Sequence, residues 1–183
     1  MREVKLEDPK SKGFSENYGE LVRPKESLPD ADTEAFSFWD HIGDIDFSVR
    51  AEAGVGAETG AEAEAGASIG VVKSYPRGTY FVPSLERHGD TSETLIPTGG
   101  DIILVCALSL SGDREKVDLS TLKAVEVHQG EALIIKPGVW HYAPLVKEKT
   151  VETYVIFRRS TLQKDLVKVE GLDIQVNPEE PAF

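Results

Sequence analysis

The sequence contains very little cysteine and no long hydrophobic run. Cys106 is its only cysteine, so no disulfide can form within the chain. This thiol lies in the apolar run DIILVCAL, where a small apolar group is expected in the core of a strand. No stretch of 18 consecutive apolar residues occurs, and the opening MREVKLEDPK has no apolar segment of the kind that a secretion signal needs. We therefore expect no membrane partner and a reducing, cytoplasmic setting.

Positive charge is also scarce. Lys and Arg number 20 against 32 Asp and Glu, which gives a formal net charge of −12. Affinity for nucleic acid comes mainly from clustered Lys and Arg that release counterions, so nucleic acid is not an expected partner. Hydrophobic residues make up 40% and charged residues 28% of the chain, which is typical of a globular protein. A chain of 183 residues fits one domain with arms.

The sequence divides into four segments. Residues 1–50 mix charge, proline and aromatics without a sustained period, and we interpret them as an N-terminal arm that packs on the core. Residues 51–67, AEAGVGAETGAEAEAGA, are predicted to be a flexible insertion. Alanine and glutamate favour helix, but the glycines and the absence of an apolar stripe oppose it.

The core is predicted to be all-β. Over residues 68–160, short β-branched and aromatic runs alternate with turn sequences such as HGDTSE, PTGGD and KPG, and no long helical period separates them. This pattern is typical of an antiparallel barrel or sandwich. Residues 161–183 are predicted to form a C-terminal tail with a short helix near Thr161–Val167 and an extended polar end.

One group of residues carries the candidate chemistry. Glu86 and His88 are two apart, so on a strand their side chains point to the same face. A reversal at Gly89 and Asp90 would bring Glu93 back on the next strand toward the same volume. With His141, which follows a Pro-Gly turn, these residues offer two imidazoles and two carboxylates. That donor set suits a first-row divalent metal better than calcium or a thiolate-bound zinc.

Structural interpretations of the same residues stay open at this point. In such an interpretation, Glu86 and Arg87 form a surface ion pair and the histidines are satisfied core groups. His128, in VHQGEA, is expected to be a solvated turn residue. Tyr142 follows His141 directly, so on a regular strand it should point to the opposite face.

The spacing of these residues resembles the two motifs of the cupin superfamily. His88, Glu93 and Gly100 match the second half of the first motif, with Glu86 where that motif has its first histidine. The glycine, glycine and histidine of the second motif correspond to residues 130, 138 and 141. The sequence departs from the pattern at three positions: Tyr80, Lys136 and Leu145 stand where the motifs have glycine, proline and asparagine.

A narrower resemblance covers most of the chain. LERH at 85–88, TSETLIPTGG at 91–100, DLSTLKAVEV at 118–127, PGVWHYAPL at 137–145 and the opening FSENYGELVRP at 14–24 are similar to the ureidoglycolate lyase family, formerly called ureidoglycolate hydrolases. In that family a glutamine is usual where this chain has Glu93. The aromatic stretch FSFWDHIGDIDF at 36–47 and the Ala/Glu/Gly insertion do not match it.

The resemblance implies a cupin-type, jelly-roll-like antiparallel β-barrel that acts as a carbon–nitrogen lyase. Its reaction is cleavage of ureidoglycolate to glyoxylate and urea in purine and allantoin breakdown, or a related reaction of another small hydroxy or keto acid. It implies a divalent first-row metal (Ni, Mn or Zn) and a homodimer, because small cupins commonly pair through edge strands. The implied metal ligands are His88, Glu93, His141 and Glu86; the implied catalytic residues are His88, Glu93, His141 and Lys136; and the implied substrate-binding residues are Arg87, Glu86 and Tyr142. The alternative is a non-catalytic or isomerase-type cupin that binds a small sugar or carboxylate.

Overall fold

The computed structural model describes residues 1–22, 31–32, 37–38, 66–159 and 161–181. Most of the aromatic stretch 36–47 and residues 51–65 of the predicted insertion lie outside these ranges. A strand begins at Ala67, the last residue that we had assigned to the insertion.

The described residues form strands and two short helices. The strands are β1 (Arg2–Glu7), β2 (Gly19–Val22), β3 (Ala31–Asp32), β4 (Ser37–Phe38), β5 (Ala67–Ser74), β6 (Phe81–Arg87), β7 (Glu93–Thr98), β8 (Ile102–Leu110), β9 (Asp113–Val127), β10 (Ala132–Ile135), β11 (Trp140–His141), β12 (Val151–Arg158) and β13 (Val167–Pro181); the helices are α1 (Lys12–Asn17) and α2 (Thr161–Lys164). Within the described ranges, no helix has the length and apolar character needed to cross a membrane.

Six strands close into a barrel in the order β1-β13-β6-β11-β8-β9. The expected all-β, cupin-type barrel is therefore confirmed, with one correction. The barrel is mixed rather than wholly antiparallel, because β1 pairs in parallel with β13 and also, at Leu6 opposite Ala124, with β9. These partners are far from β1 in the sequence, so no local turn signal indicates the direction of the pairing.

The barrel extends on both sides of residues 68–160. The predicted C-terminal helix is confined to α2, and the extended end that follows it is β13, which pairs with both β6 and β1. At the other end of the chain, β1 lies in the barrel and β2 in the second sheet. Segments that the sequence suggested were an arm and a tail thus supply barrel strands, because each contributes backbone groups and apolar side chains to an edge that would otherwise be open.

A second, five-stranded antiparallel sheet with the order β2-β10-β7-β12-β5 packs on the barrel. Strand β8 contributes side chains both to the core between the barrel and the second sheet and to the other core of the barrel. Its side chains alternate between a cluster that includes Ile102, Leu104 and Cys106 and a second cluster that includes Ile103 and Val105. Because both faces of β8 are buried, its sequence is a near-continuous apolar run. Each fully buried aliphatic side chain contributes roughly 1.5–3 kcal/mol to folding.

Candidate metal centre

The predicted site residues lie where the chain crosses from the barrel to the second sheet. On one side of the crossing, His141 in β11 pairs with Glu86 in β6. His88 follows the last residue of β6, and Glu93 is the first residue of β7, where it pairs with Ile135 of β10. The turn between β6 and β7 therefore places both His88 and Glu93 beside β11, as the spacing of the sequence indicated.

The Pro137-Gly138 turn fixes the distance between the two histidines. Gly138 has a φ of 82°, a left-handed conformation that glycine adopts at little cost. In this conformation the Gly138 N–H donates to the His88 backbone carbonyl at 2.7 Å. The turn that precedes His141 is thus hydrogen-bonded directly to the backbone of the other imidazole.

Four side chains meet at this point. The Oε2 atom of Glu93 is 3.1 Å from the Nε2 atom of His88 and 3.3 Å from that of His141. The Oε1 atom of Glu86 is 3.9 Å from the same Nε2 atom of His141. One ligand atom from each of Glu86, His88 and His141 falls within 4.8 Å of the others. The structure therefore brings together the four residues that we had predicted as ligands.

Hydrogen bonds on the outer side of each imidazole determine which nitrogen carries the proton. The Nδ1 atom of His88 is 2.8 Å from the Asp165 carbonyl oxygen, and that of His141 is 3.2 Å from the Val139 carbonyl oxygen. A carbonyl oxygen can only accept, so each Nδ1 carries a hydrogen. In the neutral state both rings then direct the Nε2 lone pair at Glu93, the tautomer by which a histidine ligates a metal through Nε2.

Charge and burial oppose each other in this cluster. His88 and His141 are 3% exposed, and the Glu93 side chain is 12% exposed. Burial by itself would raise the pKa of Glu93, but the two imidazoles, His141 most strongly through its charge, outweigh it and hold that pKa well below its usual range. Burial by itself would lower the pKa of His141, but Glu93 and, more weakly, Glu86 outweigh it and raise that pKa. The carboxylate and the imidazolium thus stabilise each other's charged form.

This donor set fits a divalent metal. Although Glu93 lies 3.3 Å from the Nε2 atom of His141, this buried nitrogen has no hydrogen-bond partner among the residues that the structure describes. A buried nitrogen without a partner is costly, and a cation between the imidazoles and carboxylates would satisfy it. Two imidazole nitrogens with carboxylate oxygens are the ligands that Zn, Mn, Fe and Ni accept. His88, His141 and Glu93 are the residues that would hold such an ion, and the Glu86 carboxylate lies beside them, 3.9 Å from the Nε2 atom of His141.

Two predicted substrate-binding residues lie elsewhere. Arg87 follows Glu86 in β6, so it points to the opposite face, where its guanidinium lies over the Trp140 ring at 5.3 Å and donates to Glu115 at 2.7 Å. Tyr142 likewise alternates with His141, and its hydroxyl accepts a weak hydrogen bond of 3.4 Å from Arg77. The period of two along a strand separates both side chains from the cluster.

Lys136, predicted to be catalytic, also lies outside the cluster. Its ammonium donates to the backbone carbonyl oxygens of Ser15 and Glu16 at 2.8 and 2.6 Å. These residues belong to the last turn of α1, where carbonyl groups have no partner within the helix and a cation is stabilising. Lys136 therefore anchors α1 to the second sheet and does not face His88 or His141.

Sequence reasoning also missed a residue, Asp165, whose carbonyl oxygen bonds His88 across 77 positions of the chain. A second group of possible ligands, Asp101, Glu126 and His128, is exposed at the surface. Lys147 already neutralises Glu126 at 2.6 Å. His128 is about half exposed, at 53%, as expected for a solvated turn residue.

Comparison with known proteins agrees with the sequence motifs around these residues. The model of the family described as ureidoglycolate lyase matches residues 8–176. The chain belongs to the ureidoglycolate lyase family. The matched range contains all four residues of the cluster, and the resemblance noted in the sequence is confirmed at the level of the family. No curated protein sequence matches the chain.

Several solved structures are similar to this chain at low identity. A dTDP sugar isomerase from Desulfovibrio desulfuricans G20 has a TM-score of 0.43 and 16% identity over 70% of this chain and 82% of its own. An oxalate oxidase has a TM-score of 0.42 and 16% identity over 88% of this chain and 80% of its own. Peruvianin-I, a cysteine peptidase from Thevetia peruviana latex, has a TM-score of 0.42 and 16% identity, and 58% of each chain is covered. Similarities this low say nothing about the activity of this member of the ureidoglycolate lyase family.

Proposed function

We propose that this protein is a carbon–nitrogen lyase that cleaves ureidoglycolate to glyoxylate and urea. The observation that carries the proposal is the buried cluster of His88, Glu93 and His141, with both Nε2 atoms within 3.3 Å of one carboxylate oxygen, in a chain of the ureidoglycolate lyase family. A nearly dry site of this kind strengthens the electrostatic interactions that orient a small, charged substrate.

The reaction breaks one C–N bond, and the groups that assist it need only to transfer protons at the oxygen and the nitrogen of the same carbon. The substrate hydroxyl loses its proton, the oxygen electrons form the carbonyl of glyoxylate, and the C–N bond breaks as the urea nitrogen gains a proton. A divalent metal, when bound by His88, His141 and Glu93, would supply Lewis-acid chemistry that lowers the pKa of the hydroxyl and fixes the substrate oxygens. No further reactant is required, because the proton that leaves the oxygen balances the one that reaches the nitrogen.

We assign the proton transfer to Glu86. Its side chain is 35% exposed, the most solvent-accessible of the four, whereas His88, His141 and Glu93 are enclosed. Its carboxylate is also farther from an imidazole nitrogen than that of Glu93, at 3.9 Å, so it is the less constrained of the two. Glu86 can therefore take the hydroxyl proton on the solvent side and deliver it to the leaving nitrogen, as a general base and then a general acid.

The test is glyoxylate release from each enantiomer of ureidoglycolate, measured with the metal-loaded protein and corrected for the uncatalysed reaction. We expect turnover of one enantiomer, loss of turnover in His141→Ala, and normal turnover in the surface variant His128→Ala. Ureidoglycolate that stabilises the protein against heat without being cleaved would contradict the proposal and favour a binding protein. Turnover of a different hydroxy acid instead of ureidoglycolate would also contradict the proposed substrate.

We also propose that the protein is a homodimer. Within the described part of the chain, β5 is an outer strand of the five-stranded sheet, and its Ile69 and Val71 side chains are 72% and 55% exposed. An exposed apolar edge strand is a liability that proteins usually cover, and a second copy is the simplest cover. Light scattering at tens of micromolar protein should give twice the mass of the chain; a strict monomer would contradict the proposal.

A further inference from the structure

Asp165 holds three consecutive residues at the metal centre. Its backbone carbonyl accepts the Nδ1–H of His88 at 2.8 Å. Its side-chain oxygens accept the backbone N–H groups of the next two residues, Gly89 at 2.7 Å and Asp90 at 2.9 Å. One residue thus fixes both the ring of His88 and the turn that carries it.

We infer that Asp165 is a positioning residue for the metal ligand His88, an inference that rests on the proposed metal centre. The carbonyl keeps the hydrogen of His88 on Nδ1, which leaves the Nε2 lone pair free for the ion. The carboxylate holds the backbone of the turn directly after His88, because hydrogen bonds to a charged acceptor are about twice as strong as neutral ones. Without that carboxylate, the turn that connects His88 to Glu93 would lose the hydrogen bonds that hold its backbone in place.

Asp165 is itself held by its surroundings. Its N–H donates to the Thr161 carbonyl at 2.8 Å, and the Thr161 hydroxyl donates to the Arg158 carbonyl at 2.6 Å. The guanidinium of Arg158 lies 3.9 Å from the Asp165 carboxylate, and the two side chains are 12% and 9% exposed. The short helix α2, which follows β12, thus positions the Asp165 carboxylate beside the turn. Arg158 partly neutralises the charge of this carboxylate, which is largely buried.

The inference also accounts for the position of the C-terminal segment. The chain passes from β12 through α2 to β13, whose first residue, Val167, pairs with Arg87, the residue before His88. Asp165 lies two residues before that pair. The pairing of β13 with β6 therefore brings the Asp165 carbonyl and carboxylate against the end of β6, where His88 begins the turn.

The test compares Asp165→Ala and Asp165→Asn with the wild type in two measurements. The first is the affinity for Co²⁺ alone, followed by its visible absorption. The second is the tautomer of His88 in the metal-free protein, followed by long-range ¹H–¹⁵N NMR of the imidazole. Asp165→Ala leaves both N–H groups without an acceptor, whereas Asp165→Asn retains one. We expect Co²⁺ affinity to fall about 10–100-fold in the alanine variant and less in the asparagine variant, and the His88 ring signals to shift or broaden in both.

Asp118→Asn is the matched control. Asp118 also accepts a backbone N–H, that of Ser120 at 2.9 Å, but in an exposed contact. This variant should leave Co²⁺ affinity and the His88 signals unchanged. If Asp165→Ala does not fold, as judged by near-UV circular dichroism, Asp165→Asn carries the test.

Wild-type affinity and unchanged His88 signals in a folded Asp165 variant would overturn the inference. Failure of the wild type to bind Co²⁺ would instead count against the proposed metal centre. In that case the NMR measurement still decides the role of Asp165, because it is made on the metal-free protein.

Discussion

Replacing His141 by alanine is expected to lower the affinity for a first-row divalent metal by orders of magnitude while the metal-free fold survives. Within the described part of the chain, the Nε2 atom of His141 has no hydrogen-bond partner, and Nδ1 makes one long bond of 3.2 Å to Val139. The imidazole therefore contributes little to the metal-free structure through hydrogen bonds. As a ligand, however, it supplies a nitrogen whose loss the remaining residues cannot replace, and metal binding adds directly to the stability of the folded state.

Thermal melting of the wild type and His141→Ala, each with and without chelator, distinguishes a ligand from a structural histidine. For a ligand, the difference between the two proteins should be much larger with metal than with chelator, because the metal-free protein loses only the charge interaction of His141 with Glu93. For a structural histidine, removal would leave its partners unsatisfied at about 1–3 kcal/mol in both conditions. Equal destabilisation with and without chelator, together with unchanged metal content, would show that His141 is a structural core residue and not a metal ligand.

Lys136→Met serves as the opposite control. The change keeps the aliphatic stem but removes the ammonium that donates to Ser15 and Glu16. Stability should fall by about 1 kcal/mol, because the end of α1 loses its cation, while metal affinity stays at the wild-type value. A loss of metal affinity in this variant would show that Lys136 acts on the site despite its position.

The second large effect is expected from Glu93→Gln, which should reverse the direction of the His141 pKa shift. In the wild type, burial lowers the pKa of His141, but the charge of Glu93 outweighs it and the pKa is raised. The glutamine side chain has nearly the same shape and no charge. Burial then dominates, so the pKa of His141 should fall below the ordinary value of about 6.5.

The pH dependence of stability should change with it. In the metal-free wild type, the stability that His141 contributes is fully present below about pH 6.5 and is lost as the pH rises through its raised folded-state pKa. The contribution of Glu93, whose pKa is lowered, is present above about pH 4.3 and is lost as the pH falls through its folded-state value. In Glu93→Gln, the unfolded chain binds more protons at position 141 than the folded protein up to about pH 6.5, so stability at that position should rise with pH instead.

The measurement is an imidazole NMR titration of the metal-free wild type and variant, together with urea unfolding at several pH values. Because the other titrating groups are the same in both proteins, the pH dependence of the difference in unfolding free energy reports on Glu93 and His141. His128→Ala provides the control, because His128 lies at the surface beside Asp101 and should not alter the His141 titration. A raised His141 pKa in Glu93→Gln would mean that Glu86, not Glu93, sets its charge.

The sequence by itself was sufficient for the fold class and for predicting that Glu86, His88, Glu93 and His141 lie close together. Alternation along β6 predicted that Glu86 and His88 share a face, and the turn after them predicted the return of Glu93. The near-continuous apolar run of β8 indicated a strand buried on both sides. These inferences succeeded because they depend on local geometry, the period of two in a strand and the backbone of a tight turn, which neighbouring residues determine.

The same period could have excluded Arg87 and Tyr142 from the site, since each directly follows a residue that faces the cluster. Only the tertiary structure decided the rest. The parallel pairing of β1, the contact of Lys136 with α1, and the bonds from Asp165 to the His88 turn all join segments far apart in the chain. No local pattern encodes such contacts, because a donor or a strand edge is satisfied by whichever partner the packing of the whole core brings to it.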